Sequence, residues 1–243
     1  LRPYQKEVRD AVLRSIGQNL GLTISVMMSR QAGKNELSAQ LELLLMVMRY
    51  IAGGNIVKAS PTFKPQTINS IQRLRARIAD AGLSDQVRTE MGYIIHLGNA
   101  STTFFSAGEQ ANVVGATASL LLEIDEAQDV TEDKFNAAFR PMGSTTNATT
   151  VLYGTAWTDN TLLEHVKQTN LELQAKDGIR RHYEYPWTTV AQYNPLYASY
   201  VAAERARLGA DHPLFVTQYD LRTLTGGGRD VAAVAGRADA GRP

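Results

Sequence analysis

A short run that combines glycine, lysine and polar residues has the composition of a phosphate-binding loop. Ser29-Arg30-Gln31-Ala32-Gly33-Lys34-Asn35 follows the apolar run Leu22 to Met28 and precedes the Leu- and Met-rich stretch Glu36 to Tyr50. A buried strand, a Gly-Lys turn and a helix form the context in which backbone N–H groups at a helix start cradle phosphate oxygens. Lys34 is expected to reach the β- and γ-phosphates as a point charge. The loop departs from the full pattern at both ends, where Met28 replaces glycine and Asn35 replaces serine or threonine.

Two adjacent carboxylates end a second apolar run, Leu120 to Ile124. This is the Walker B arrangement, in which Asp125 is expected to hold Mg²⁺ through water and Glu126 to orient and activate the water that attacks the γ-phosphate. Neighbouring side chains of a strand point in different directions, so two neighbours can take two roles. The alternative is a solvated strand end. Glu123, inside the apolar run, has no role in this interpretation.

Three further residues are candidates for the same chemistry. Arg30, inside the loop, is placed to bridge γ-phosphate oxygens with its two-pronged guanidinium, unless it is a surface arginine paired with a carboxylate. Gln5 has the amide groups that bind adenine, unless it simply lies on a helix surface. Thr155, at the tip of the predicted strand Thr149 to Gly154, is expected to sense hydrolysis at the γ-phosphate, unless it only forms a turn.

Composition excludes several classes of function. The 243-residue chain has no cysteine, so disulfides and thiolate metal sites are excluded, and a formal net charge of +1 gives no overall attraction to nucleic acid. No apolar run approaches the roughly 18 residues needed to cross a bilayer. The four histidines lack metal-ligand spacing. Because residue 1 is Leu and no signal peptide follows, the chain is expected to be a piece of something longer.

Two regions have patterns that allow either packing or nucleic-acid contact. The arginines at 73, 75 and 77 are expected to form a solvated helix face rather than a DNA-binding patch. The aromatic-rich stretch from Tyr183 to Tyr200 is expected to pack a small C-terminal subdomain, although its rings are also suited to stacking on bases.

Strands and helices alternate along the chain, which predicts a mostly parallel sheet covered by helices on both faces. The predicted helices are Leu1–Ile16, Glu36–Tyr50, Gln66–Ala81, Asp129–Phe139, Asn160–Ala175, Asn194–Leu208 and a short one from Asp211. The predicted strands are Leu22–Met28, Asn55–Ser60, a hairpin of Tyr93–Leu97 with Ser101–Phe105, Leu120–Asp125, Thr149–Gly154 and Ile179–Tyr185. We expect one domain over residues 1–225, in which 186–225 form a lid or linker subdomain, and a flexible tail over 226–243.

Together these motifs resemble the ATPase domain of the large terminase subunit of tailed bacteriophages, the motor that packages DNA into capsids. Five motifs occur in the family's order over about residues 1–228. They are Leu1–Gln5, the loop with its internal Arg30, Ala59-Ser60-Pro61, Asp125-Glu126-Ala127 and Gly154-Thr155. Val114-Gly115 departs from the family, in which several members have Arg-Gly, so that a trans-acting arginine would have to be Arg30, Arg140 or another residue.

The resemblance implies an α/β P-loop NTPase of the additional-strand, RecA-like type that hydrolyses ATP with Mg²⁺. Asn35 and Asp125 would hold the metal, Gln5 and the loop would bind the nucleotide, and Thr155 would couple hydrolysis to movement. Implied partners are double-stranded DNA, the capsid portal, the small terminase subunit and further copies in a ring, within the cytoplasm of the bacterial host and without a membrane. Endonuclease activity is not expected, because no acidic nuclease module follows residue 228.

Two other functions remain open at this point. The sequence Asp125-Glu126-Ala127-Gln128 also fits a superfamily 2 helicase-like, DNA-dependent ATPase, which would need a second RecA-like domain. A nucleotide-binding assembly module with little hydrolysis of its own is favoured by Asn35 and by the missing nuclease module.

Overall fold

The computed structural model describes residues 1–108 and 115–225, over which helices and strands alternate. The strands are β1 (Thr23–Met28), β2 (Gly54–Ser60), β3 (Val87–Glu90), β4 (Ile94–Leu97), β5 (Ala100–Ser106), β6 (Leu121–Ile124), β7 (Thr149–Gly154) and β8 (His182–Tyr185). The helices are α1 (Pro3–Gly17), α2 (Lys34–Met48), α3 (Ile68–Asp80), α4 (Glu132–Lys134), α5 (Leu162–Asp177), α6 (Trp187–Ala191), α7 (Pro195–Leu208) and α8 (Pro213–Gln218). None of these helices is long and apolar enough to cross a bilayer.

One mixed sheet organises the described residues, with the strand order β3-β4-β5-β2-β6-β7-β1-β8. The six strands from β5 to β8 in that order are parallel, whereas β4 is antiparallel to both of its neighbours, β3 and β5. The predicted hairpin between β4 and β5 is therefore confirmed. Strand β7 lies between β1 and β6. It is therefore the additional strand that is expected in this class of P-loop fold. The carboxyl ends of β1, β7 and β6 consequently meet at one edge of the sheet, where ligands bind in open α/β sheets.

Helices cover both faces of the sheet, as the alternation of elements predicts. On β1, Val26 and Met28 belong to a core cluster that includes residues of α1, α2, α3 and the C-terminal helices, whereas Met27 belongs to a second cluster that includes residues of α5 and the segment after β6. Strands that are buried on both faces appear in the sequence as continuous apolar runs. This explains why β1, β6 and β7 were recognisable from their sequences.

Some predicted elements differ from the structure for local reasons. Strand β3 was not predicted, because Val87-Arg88-Thr89-Glu90 is a short edge strand that lacks a buried face. The predicted helix Asp129–Phe139 is instead the short α4 followed by a wide helical turn at Phe135–Phe139 and a tight turn at Arg140–Gly143. The five-residue helix α6 was also missed. Val114, which the sequence analysis singled out, and the whole predicted tail at 226–243 lie outside the described residues.

Candidate phosphate-binding site

The loop between β1 and α2 turns sharply around the start of α2. Gly33 caps the helix at φ +94° and Gln31 has φ +60°, so two of its residues adopt the left-handed conformation. A Cβ at Gly33 would lie 2.6 Å from Gln5 Nε2, so a side chain there would collide with a neighbour as well as strain the backbone. The N–H groups that begin α2 have no partner within their own helix, and the helix dipole makes that end positive. The loop is therefore shaped to receive an anion.

Helix α1 supports the second half of this loop. Gln5 Nε2 donates to the Gly33 carbonyl (2.9 Å), and Gln5 Oε1 accepts from the Arg2 N–H (2.8 Å). The Tyr4 hydroxyl donates to the Ala32 carbonyl (2.7 Å). Gln5 is only 5% exposed and does not line the cavity beside the loop. Its amide thus holds the loop in place, and a contact between Gln5 and adenine stays a prediction.

The C-terminal helices support the first half of the loop. The Tyr197 hydroxyl donates to the Arg30 carbonyl (2.9 Å), so its oxygen is left to accept from Ser29 Oγ (2.9 Å). Burial raises the pKa of Tyr197 to about 12, which keeps it a donor at neutral pH. Arg30 donates from its backbone N–H to the Gln218 carbonyl and from Nη1 to Gln218 Oε1, both at 2.8 Å. The aromatic-rich C-terminal stretch thus contacts the loop directly.

A cavity of about 420 Å³ opens beside the loop. Lys34 Nζ lies 3.7 Å from Glu126 Oε1 across it, so the loop lysine and the Glu126 carboxylate face one another. Ser29, Gln5, Asp125 and Thr155 lie outside the lining. The lining residues are Arg30, Gln31, Ala32, Gly33, Lys34, Asn35, Glu36, Arg73 and Glu126.

The end of β6 presents the two predicted carboxylates in different environments. Asp125 is 4% exposed; burial raises its pKa, while the positive charges of Lys58 and Lys34 act in the opposite direction. Glu126 is partly exposed and has φ +45° and ψ +50°, a left-handed conformation that is uncommon for a residue with a side chain. Such strain tends to occur at functional sites. It takes Glu126 out of the strand and towards the cavity.

Gln128 connects the end of β6 to the tip of β7, a connection that the sequence did not predict. Gln128 Nε2 donates to Glu126 Oε2 (2.8 Å), and the Thr155 backbone N–H donates to Gln128 Oε1 (3.3 Å). The structure therefore links Thr155 to Glu126 through one side chain. Gly154 leaves room for the Gln128 side chain. This glycine at the end of a predicted strand was the sign of the contact in the sequence.

Arg73 is a second residue whose position was missed. The sequence placed it on a solvated helix face, but α3 brings it to the lining of the cavity, where its side chain is 47% exposed. Its Nη1 lies 3.2 Å from Glu36 Oε2, and Arg77 Nη1 lies 3.4 Å from the other oxygen of the same carboxylate. Burial acts to raise the pKa of Glu36, but hydrogen bonds from Gln40 and Arg73 and the charge of Arg77 lower it overall.

A buried polar cluster beneath the site gives Glu123 a structural role. Lys58 Nζ donates to Ser38 Oγ (2.7 Å) and to Glu42 Oε1 (3.1 Å), and Ser38 Oγ lies 2.9 Å from Glu123 Oε1. Lys58, Glu42 and Glu123 are at most 2% exposed. Burial, with Glu42 nearby, raises the pKa of Glu123 well above its usual range, which favours the neutral acid. Burial alone would lower the pKa of Lys58, but its acidic neighbours hold it above the usual value.

The oxygen donors at the site suit Mg²⁺. The carboxylate of Asp125 and the amide oxygen of Asn35 are hard ligands of the kind that Mg²⁺ accepts, and Mg²⁺ keeps several waters and takes further oxygens from phosphates. Within residues 1–108 and 115–225, no three acidic, histidine or cysteine side chains are grouped to hold a metal by themselves.

The strand order and the loop between β1 and α2 are those of the P-loop NTPase fold, in its additional-strand type. The structure is similar to the large terminase of bacteriophage HK97, with a TM-score of 0.71 and 17% identity over 92% of this chain and 50% of that one. It is also similar to the large terminase of a thermophilic bacteriophage in complex with ADP, with a TM-score of 0.68 and 12% identity over 91% and 53% of the two chains. The ATPase domain of a Thermus phage large terminase gives a TM-score of 0.64 and 16% identity over 84% and 89%.

These similarities confirm the predicted resemblance at the level of the fold. No protein-family model matches the sequence. No curated protein matches it significantly either. The chain spans about half the length of the first two terminases.

Proposed function

We propose that this chain is the ATP-hydrolysing domain of a phage DNA-packaging terminase and that it uses Mg²⁺. The observation that carries the proposal is the cavity in which Lys34 Nζ faces Glu126 Oε1 at 3.7 Å, beside a glycine-containing loop at a helix start. The structural neighbours support it, since one terminase was determined with ADP and also with ATP-γ-S. At such low sequence identity the similarity to these neighbours covers the fold alone. The activity is therefore our inference from the site.

Each residue has a defined role in the proposed reaction. Lys34 and the loop N–H groups hold the phosphates, and Glu126 orients a water and takes its proton as the water oxygen attacks the γ-phosphorus. The bond from the γ-phosphorus to the bridging oxygen breaks, and ADP leaves with the electron pair. Arg30 supports the charge on the γ-phosphate, because its guanidinium keeps free donors while one bonds Gln218. Asp125 and Asn35 would hold Mg²⁺, which would neutralise phosphate charge.

The proposed function brings further proposals about partners. Double-stranded DNA, a capsid portal, a small terminase subunit and neighbouring copies of this chain in a ring would assemble with it in the cytoplasm of the bacterial host. Stimulation of phosphate release by double-stranded DNA would support the DNA partner. Thr155 would couple hydrolysis to movement of the elements after β7.

A binding titration with a matched variant tests the nucleotide site. We expect ATP-γ-S with Mg²⁺ to bind the full chain by calorimetry and Lys34→Met to lose that binding by at least about tenfold, or about 1.4 kcal/mol. Methionine has a similar volume, so the variant should keep the fold, which circular dichroism would check. Equal affinity of both proteins would overturn the assignment of the loop.

Arg73 is expected to contribute to triphosphate binding, and Arg77 serves as its control. Both arginines pair with Glu36, but only Arg73 lines the cavity. Arg73→Ala should weaken binding of ATP-γ-S about fivefold to tenfold and binding of ADP less, since a charged contact typically contributes about 1 kcal/mol at a partly exposed site. Arg77→Ala should change neither. A similar loss in both variants would mean that only their pairing with Glu36 matters.

A further inference from the structure

We infer that Gln128 is a positioning residue that connects the water-activating carboxylate to the strand tip at Thr155 and, through it, to the C-terminal segment. This inference rests on the proposed function, because it assigns Gln128 a role only if Glu126 acts on nucleotide. In this role, Gln128 would transmit a change in the position of Glu126 to the elements after β7.

The hydrogen bonds around Gln128 fix the orientation of its amide. Nε2 donates to Glu126 Oε2 (2.8 Å) and to Asp129 Oδ2 (3.2 Å), while Oε1 accepts from the Thr155 N–H (3.3 Å). A flipped amide would place its oxygen against two carboxylates and its NH₂ group against an N–H donor. The partners thus allow one orientation, in which a single planar group joins Glu126 to the backbone of Thr155.

Gly154 independently indicates that this contact is built into the fold. A Cβ at Gly154 would lie 2.2 Å from Gln128 Oε1 and 2.5 Å from Leu163 Cδ2. Real Cβ atoms do not approach other atoms so closely, so any larger residue would displace Gln128 or α5. The glycine at the end of β7 therefore lets Gln128 reach across from the end of β6.

The connection continues beyond Thr155 to the end of the described chain. The Leu224 N–H donates to the Trp157 carbonyl (2.9 Å), and the Asp159 N–H donates to the Leu224 carbonyl (3.2 Å). Thr223 Oγ1 also donates to Glu164 Oε2 on α5 (2.8 Å). Residues 223 and 224 are thus attached to the segment that follows Thr155. A displacement of Glu126 would therefore also shift residues 223 and 224, because Gln128 and the β7 tip connect them.

Hydrogen exchange of the full chain, compared between ATP-γ-S and ADP in the presence of Mg²⁺, tests this connection. In the unsubstituted protein we expect nucleotide-dependent protection at residues 30–35 and a difference between the two nucleotides at residues 155–160 and 222–225. Gln128→Ala should keep the protection at 30–35 and lose the difference at the other two segments. Asp129→Ala removes the second acceptor of Gln128 without touching Thr155, and it should behave like the unsubstituted protein.

Steady-state kinetics give a second readout that a purely structural role would not produce. Gln128→Ala should lower kcat about tenfold, or about 1.4 kcal/mol, with KM unchanged, because Glu126 is misplaced while the phosphate loop is intact. In a Glu126→Gln background the same substitution should have no further effect, since residues that act as a unit are not additive.

The possible outcomes separate this inference from the proposed function. If Gln128→Ala retains both the exchange difference and kcat, or if KM changes instead of kcat, the positioning role is overturned while the nucleotide site stands. If the unsubstituted protein shows no protection at residues 30–35 with either nucleotide, the proposed function fails and the inference fails with it.

Discussion

Replacing Glu126 with glutamine is expected to lower ATP turnover by about a hundredfold or more and to leave ATP binding unchanged. Glutamine keeps the size of the side chain that lines the cavity, but its amide cannot take a proton from the attacking water. A hundredfold loss corresponds to about 2.7 kcal/mol of activation free energy. Binding should persist because Lys34 and the loop N–H groups, which hold the phosphates, remain in place.

The matched control is Glu172→Gln, which removes an exposed carboxylate from α5. This variant should have the turnover of the unsubstituted chain, with both rates measured as phosphate release at saturating ATP and Mg²⁺. Turnover retained in Glu126→Gln would contradict the role assigned to this residue. Joint loss of binding and turnover would instead show that Glu126 maintains the loop.

Replacing Lys58 with methionine is expected to reduce the free energy of unfolding by about 3–5 kcal/mol, the usual cost of removing one partner from a buried ion pair. Lys58 is 2% exposed and donates to Glu42 Oε1, which is completely buried. Methionine fills the space but leaves Glu42 without its counter-charge. The change should appear in denaturant unfolding as a lower midpoint with a similar slope.

Two further variants separate the charge from the packing. Lys6→Met removes an exposed lysine on α1 and should change stability by less than about 0.5 kcal/mol. Adding Glu42→Gln to Lys58→Met should recover part of the loss, because it removes the unpaired buried charge. If Lys58→Met is as stable as Lys6→Met, the ion pair does not have the proposed role.

The features that could be predicted from the sequence are those with strong local signals. Buried strands β1, β6 and β7 appear as apolar runs, and the Gly33-Lys34 turn follows the first of them, so the class of fold and the loop were predictable. The hairpin of β4 and β5 was marked by Gly98-Asn99 between two runs of strand character. In each case the residues that determine the structure are close together in the sequence.

The features that could not be predicted depend on contacts between distant parts of the chain. The sequence did not explain Glu123, because its partners come from α2 and β2. It also did not indicate that the position of α3 would place Arg73 at the cavity. Gln5 has the chemistry of an adenine ligand, and that contact stays a prediction, but the support that its amide gives to Gly33 was not visible in the sequence. Side-chain roles of this kind are decided by tertiary packing, which a local pattern does not encode.

Steady-state phosphate release from ATP, measured over a range of protein concentrations, tests the central claim most directly. We expect the unsubstituted chain to release phosphate faster than Glu126→Gln and to stop when Mg²⁺ is chelated. A rate per chain that rises with protein concentration would show that neighbouring copies complete the site, as in a ring. Equal, background-level release by the unsubstituted chain and Glu126→Gln at every concentration would contradict the assignment of this chain as an ATPase.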